Sequence, residues 1–525
     1  MGVGMSHPAP DNPNVSQQKH PARDWERFVS RQVAEQTAEH RYPLRRVLEF
    51  PPFEPLGAAR MAELEALTAR ATIPELQAEM EAGRLSAVEL TRFYLTRIRQ
   101  HNDRLGAWLE VNPQGLEQAQ QLDAERGAGR VRGLLHGIPL ALKDNLATAA
   151  PLHTTAGAAA LREAMADREA FIVQRLRAAG ALVLGKNNLS EWANFMTTHS
   201  VNGFSALGGH TRNPYGPFDV GGSSSGTAVA VAANLAVAGV GSETSGSLVY
   251  PAAQNGIFTL KPSLGLVSRD RIIPITEAQD TAGPLTKNAT DLAVLMGVLT
   301  AYDPADPLTQ RAKALEPGAF ALQGGSLAGL RIGWIEHTQR TGDLEGLGLV
   351  VQAFQRLGAE VKVLPFPTRE IEMLPVLRYG LREGVNAYLR ATGAPIPDLA
   401  AVIAFNEAHP EAAPYGQDLL IAAQNEGLAA EEYHALVEKN RQVGTEVLEG
   451  LMQEHEVSLL LTVSNSLSAY TSTSGFPVLT FPAGYRASGE PIGASLVGRL
   501  LEDPHLIAVA QALRPHLEPR KTPVL

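Results

Sequence analysis

The chain has no cysteine. That excludes disulfides, thiolate metal sites and every mechanism built on a cysteine nucleophile, so covalent chemistry has to run through oxygen or nitrogen. A basic excess is also missing. Against 45 Lys and Arg stand 55 Asp and Glu, a formal charge of -10, which gives no field to attract phosphate backbones or anionic lipid. Nucleic acid is therefore not an expected partner. No window supplies the roughly 20 apolar residues of a membrane span. The most apolar run, 227–240, is rich in Ala and Val, is broken by Asn234, and reads as a buried helix and strand. Residues 1–40 are polar and lack the apolar segment of a secretory signal, so the expected location is cytoplasmic, without a membrane partner.

What is present suffices for one large core: 525 residues, 44% of them hydrophobic. Residues 1–60 read as a polar, loosely ordered N-terminal extension ending in Phe50-Pro51-Pro52-Phe53-Glu54-Pro55, which favours extended backbone. Residues 61–525 contain no internal repeat and read as a single domain, with a core at about 130–290 and a helix-rich insertion at about 300–455. Thr72, followed by Pro74, and Ser86 are placed to open helices. Short apolar strands are expected at 107–111, 138–142 and 182–184, with a helix at 169–179 before the third. Further strands are expected at 330–334, 360–364, 459–462, 478–481 and 493–497, then a final helix. This alternation predicts an α/β sheet protein.

The densest chemistry lies in two small-residue segments, Gly221-Gly222-Ser223-Ser224-Ser225-Gly226 and Gly241-Ser242-Glu243-Thr244-Ser245-Gly246-Ser247. A flexible linker would not run directly into an apolar helix on one side and the buried run 236–240 on the other. A helix of about ten residues rises roughly 15 Å and a strand of five returns roughly 17 Å, so the two turns can meet at one sheet edge. Small residues there let backbone N–H groups converge, as an oxyanion hole or a phosphate cradle requires. No Gly-Lys-Ser/Thr follows the first turn, which disfavours a phosphate loop. The tract 222–226 also satisfies G-x-S-x-G, which leaves a Ser-His-Asp hydrolase open, with His455, His505 and His516 as partners. A serine nucleophile needs a base. Lys143, at the end of an apolar strand and followed by Asp144-Asn145, is the candidate, because desolvation there would keep part of it neutral.

Taken together, His136-Gly137-Ile138-Pro139, Lys143-Asp144-Asn145, the Gly/Ser tract at 221–226, Gly-Ser-Glu-Thr-Ser-Gly-Ser at 241–247 and Pro251-Ala252-Ala253 closely resemble the amidase signature family over about residues 70–515. The stretches 189–195, 211–215, 265–270 and 279–284 look most like its bacterial peptide-amidase branch, which removes ammonia from a C-terminal carboxamide. The resemblance implies a central twisted mixed β-sheet flanked by helices on both faces. It implies Ser247 as nucleophile, Ser223, on a cis peptide bond, as proton relay, and Lys143 as base. It implies an oxyanion hole of backbone N–H groups from Thr244, Ser245, Gly246 and Ser247, and no metal or cofactor. The substrate would be a small amide or peptide amide, and the protein a monomer or homodimer. Trp192, Asn194 and Phe195 are candidates for the substrate pocket, Ser224 and Ser225 for hydrogen bonds around the relay, and Asp144 and Asp280 for orienting loops.

Two departures from the family pattern carry information. Ser245 stands where many members have Gly, which matters little to a hole built from backbone. Val249 stands where many have Arg, which removes a guanidinium that could pair a substrate carboxylate and disfavours dicarboxylic half-amides. The resemblance also covers the amide-cleaving components of tRNA-dependent amidotransferases, which act only with partner proteins. The region 300–455, least like the family pattern, is expected to shape the pocket.

Overall fold

The apolar runs at 139–143, 182–187 and 238–243 are buried along their whole length, and they pair in parallel in the middle of the molecule. They are part of the computed structural model, which describes residues 22–37, 42–321, 326–337 and 342–525. The strands of the large sheet are β1 (Trp108–Val111), β2 (Pro139–Lys143), β3 (Leu182–Asn187), β4 (Ala238–Glu243), β5 (Phe258–Lys261), β6 (Thr281–Thr286), β7 (Arg331–Ile335), β8 (Glu360–Leu364), β9 (Leu459–Val463), β10 (Val478–Tyr485) and β11 (Pro491–Val497). They lie side by side in the order β1-β3-β2-β4-β6-β5-β10-β11-β9-β7-β8. Pairing is parallel through β3-β2-β4 and β9-β7-β8 and antiparallel elsewhere. The sheet is thus mixed, and helices flank it, as an α/β reading requires.

Local chemistry sets the helix starts. Thr72 and Ser86 each accept from the N–H three residues on, while Glu75 and Glu89 reach back to the cap N–H, so both helices, α2 (Ile73–Glu81) and α3 (Ala87–Leu105), open with reciprocal capping boxes. The N-terminal extension departs from its expected looseness. Residues 1–21 and 38–41 lie outside the described residues, but Ala22–Thr37 form helix α1, on which Phe28, Gln32 and Gln36 are buried. These three recur every four residues and so share one face. Composition alone hid that face, because two of its three members are glutamines.

Parallel pairing of β2 with β4 puts both carboxyl ends at the same sheet edge, and antiparallel β6 begins there. Lys143, Ser242-Glu243 and Asp280-Thr281 therefore converge by topology alone. Between the serine segments runs α4 (Ser225–Ala232), whose residues are all buried. Its entry needs glycine: a Cβ on Gly226 would lie 2.3 Å from Asn188 O and 2.5 Å from Ala107 O.

Candidate active site

Lys143 is fully buried, and its Nζ donates to Ser223 Oγ (2.8 Å), Ser242 Oγ (3.0 Å) and Ser242 O (3.1 Å). Burial pushes its pKa down to about 7, against the pull of the Asp280 and Glu243 carboxylates. A lysine in this state exchanges a proton near neutral pH. Asn145 Nδ2 also donates to Ser242 Oγ (2.8 Å), fixing the hydroxyl on which Lys143 rests. Asp144, the next residue, turns away to a second buried lysine, Lys186, at 3.3 Å, and accepts from Thr155, so it orders the loop behind the site.

The Gly222–Ser223 peptide bond is cis. The Ser223 carbonyl accepts from Ser190 N (3.0 Å), and Ser224 N donates to the Ser247 carbonyl (3.2 Å), which brings the two serine segments side by side. Ser224 Oγ is committed to Ser242, accepting from its N (3.3 Å) and donating to its O (3.0 Å), while Ser225 Oγ donates to Gly221 O. Among the described residues no hydrogen bond joins Ser247 Oγ to Ser223 Oγ, and none of His455, His505 and His516 bonds a serine of either segment. The G-x-S-x-G reading therefore has no base, and its central hydroxyl, Ser224, is structural.

The segment that carries Ser247 hangs on one carboxylate. Glu243, buried at the end of β4, accepts from Gly246 N (2.7 Å), Leu248 N (2.7 Å) and Val249 N (3.1 Å). It thereby satisfies donors at the start of α5 (Val249–Gln254). This corrects one expectation: the Gly246 N–H points at Glu243 and is not free for an oxyanion. The N–H groups of Ser245 and Ser247 make no hydrogen bond among the described residues. Asp280 braces the same segment, accepting from Thr244 Oγ1 (2.5 Å), Ile275 N (2.8 Å) and Thr276 N (3.0 Å); burial raises its pKa to about 6. Asp280 was expected to orient a loop, and the loops it braces are those of Thr244 and 275–276; Glu243 was given no role by sequence, although it sits inside the motif.

A cavity of about 570 Å³ opens beside Asn145, Ser242, Glu243, Thr244 and Asp280. Its far wall comes from residues 269–275 and from two helices of the region 300–455, α6 (Met373–Thr392) and α7 (Ala430–Glu454), through Tyr379, Tyr388 and Tyr433. Tyr379 and Tyr433 stack with centroids 4.3 Å apart. The expected pocket residues are placed differently. Trp192 and Phe195 pack in an apolar cluster with Ile273, Ile275 and Leu377, and Asn194 lines a separate cavity of about 10 Å³; Ala193 is the one that faces the large cavity. The cause is local: Trp192, Ala193 and Asn194 all have left-handed backbone, φ 51°, 55° and 71°, which reverses which side chains face outward. Among the described residues no group of three His, Asp or Glu side chains could hold a metal ion, and no helix is long and apolar enough to cross a membrane.

Residues 89–462 match the Amidase family model, and the chain belongs to that family. It is 35% identical over 471 residues to a probable amidase of Arabidopsis thaliana, covering 86% of this chain and 91% of that one. It is 34% identical to the A component of the glutamyl-tRNA(Gln) amidotransferase of Thermosynechococcus vestitus, over 84% and 96% of the two chains. Its fold matches an amidase family protein from Bacillus anthracis with a TM-score of 0.86 at 35% identity, over 90% of this chain and 95% of that one. The native peptide amidase from Stenotrophomonas maltophilia matches with a TM-score of 0.79 at 39% identity, over 87% and 99%. The chain is thus an amide-cleaving enzyme of the amidase signature type.

Proposed function

We propose that this enzyme hydrolyses carboxamide C–N bonds, with peptide C-terminal amides as substrates, through an acyl-enzyme on Ser247. Ser247 Oγ attacks the carbonyl carbon while its proton passes to Ser223 Oγ and the Ser223 proton passes to neutral Lys143 Nζ. The oxyanion is held by N–H groups of Ser245 and Ser247, with Thr244 adjacent; each such donor is worth about 3–4 kcal/mol. Collapse breaks the C–N bond, the relay returns the proton to nitrogen, and ammonia leaves. Water then attacks the ester by the same route, releasing the acid and Ser247.

The observation that carries this reading is the 2.8 Å contact of Lys143 Nζ with Ser223 Oγ, made by a buried lysine whose pKa lies at about 7. The peptide substrate draws support from the Stenotrophomonas neighbour, named as a peptide amidase, and from Val249, which offers no cation to a free carboxylate. Ammonia release from a short peptide carboxamide, beside a simple aliphatic amide and with the Ser247→Ala protein as blank, tests it. Release from the peptide amide and none in the blank is expected; equal rates in enzyme and blank would refute the mechanism. The identity with the amidotransferase component carries a second reading, in which turnover needs partner proteins; turnover by the isolated chain excludes it.

A further inference from the structure

Helix α1 lies N-terminal to the family match, which begins at residue 89. Its buried residues include two amides beside Phe28 and Val29: Gln32 and Gln36 are 0% and 2% exposed. Buried amides are usually hydrogen-bonded, and these bond residues 200–202 and Asp219, leaving Gln36 Oε1 without a partner among the described residues. Gln32 Nε2 donates to Ser200 O (3.1 Å), and Gln32 Oε1 accepts from Asn202 N (2.6 Å). Gln36 Nε2 donates to Asn202 O (3.0 Å) and reaches Asp219 Oδ1 at 3.4 Å. Phe28 and Val29 beside them pack against Tyr250.

Asp219 is where these bonds lead. It is fully buried, among the described residues no cation pairs with it, and hydrogen bonds alone hold it. Its Oδ1 accepts from Gly221 N (3.0 Å), two residues before Ser223, and from Asn202 Nδ2 (3.1 Å). Its Oδ2 accepts from Tyr250 Oη, three residues after Ser247. One carboxylate therefore ties the relay turn to the helix that follows the nucleophile. Asn202 completes the enclosure: a Cβ on Gly222 would lie 2.9 Å from Asn202 Oδ1 and 2.4 Å from Ser190 Oγ.

We infer that α1 is a latch for the catalytic serines, with Gln32 and Gln36 acting as positioning residues through Asn202 and Asp219. This rests on the proposed roles of Ser223 and Ser247. None of the four residues lines the large cavity, so the latch acts on turnover and leaves substrate binding alone.

The test uses the full chain with Gln32→Leu, Gln36→Leu and Gln36→Glu, measuring kcat and KM for a peptide carboxamide from about pH 6 to 9. The leucine variants should lose about tenfold or more in kcat with KM nearly unchanged, since a small displacement of reacting groups costs that much. Gln36→Glu sets a second carboxyl against Asp219, with Tyr250, Glu35 and Arg212 as the other ionisable groups around it. Two such carboxyls share a proton and repel once both ionise, so activity should fall as pH rises, while the parent enzyme gains. A variant that merely folded less well would show the parent profile scaled down, and that result, or parent-like kcat in all three, overturns the inference. Ser247→Ala is run in parallel: full turnover there takes down the reading of the serines and the latch with it, whereas lost turnover there beside parent-like glutamine variants takes down the latch alone.

Discussion

At the residue scale the proposed relay depends on one proton. In that relay Lys143 has to be neutral to accept from Ser223, so kcat/KM should rise with pH through about 7 and level off above it; a flat profile from pH 5 to 9 would point to another base. Lys143→Arg should be as inactive as Lys143→Ala, because a guanidinium stays protonated throughout this range. The same shift acts on stability. With a folded pKa of about 7 against an ordinary 10.4, the unfolded chain binds the proton more readily between those values. Stability from this site is therefore gained as pH rises from about 7 to about 10. The difference in Tm between the parent and Lys143→Ala should change in that window and stay constant below it. That the two serine segments meet at the end of the Lys143 strand was legible in sequence, because strand and helix lengths return the chain to one sheet edge; the roles proposed for Lys143, Ser223 and Ser247 came from the family resemblance. The placement of Trp192, Asn194 and Phe195 was not legible, because nothing in their composition announces three consecutive left-handed residues.

At the element scale, strands end where the proposed catalytic groups begin, and the segment beyond β4 is held by the Glu243 carboxylate. Glu243→Gln keeps the shape but turns one acceptor into a donor facing backbone N–H groups. It should lower kcat by roughly 10- to 100-fold with little change in KM, as steady-state kinetics on a peptide amide would show. Gly246→Ala should behave similarly: φ is +85°, and its Cβ would lie 3.0 Å from Asn465 Nδ2. Most strands of the sheet follow from apolar runs in the sequence, although β3, β4 and β10 run three or four residues further at their carboxyl ends than those runs. β5 and β6 escaped that reading. Thr281-Ala-Gly-Pro-Leu-Thr carries Gly283 and Pro284, which argue against a central strand. Here the proline's missing donor is tolerated, and its carbonyl accepts from Thr259 Oγ1 on β5 (2.7 Å). Tertiary pairing overrides local preference there.

On the scale of the whole molecule, a shared sheet edge supplies the reaction and the helices beyond residue 370 supply the cavity wall. Tyr379→Ala opens that wall without touching Lys143 or either serine. It should raise KM for a peptide amide by about tenfold and leave the rate on a simple aliphatic amide near the parent value, a split that parallel assays on the two substrates would reveal. Gly380 sets how closely α6 approaches: a Cβ there would lie 2.5 Å from Thr276 Oγ1. The lining of the same cavity carries the Glu243 and Asp280 carboxyl groups together with Arg269, Arg271 and Arg390, so the chamber presents charge of both signs. A neutral amide enters it, and a carboxylate is what forms. Within that lining Asp280, raised to about 6, gains its charge close to neutrality, so inhibition by the peptide acid should weaken as pH rises through that value, which product-inhibition constants measured on either side of it would show.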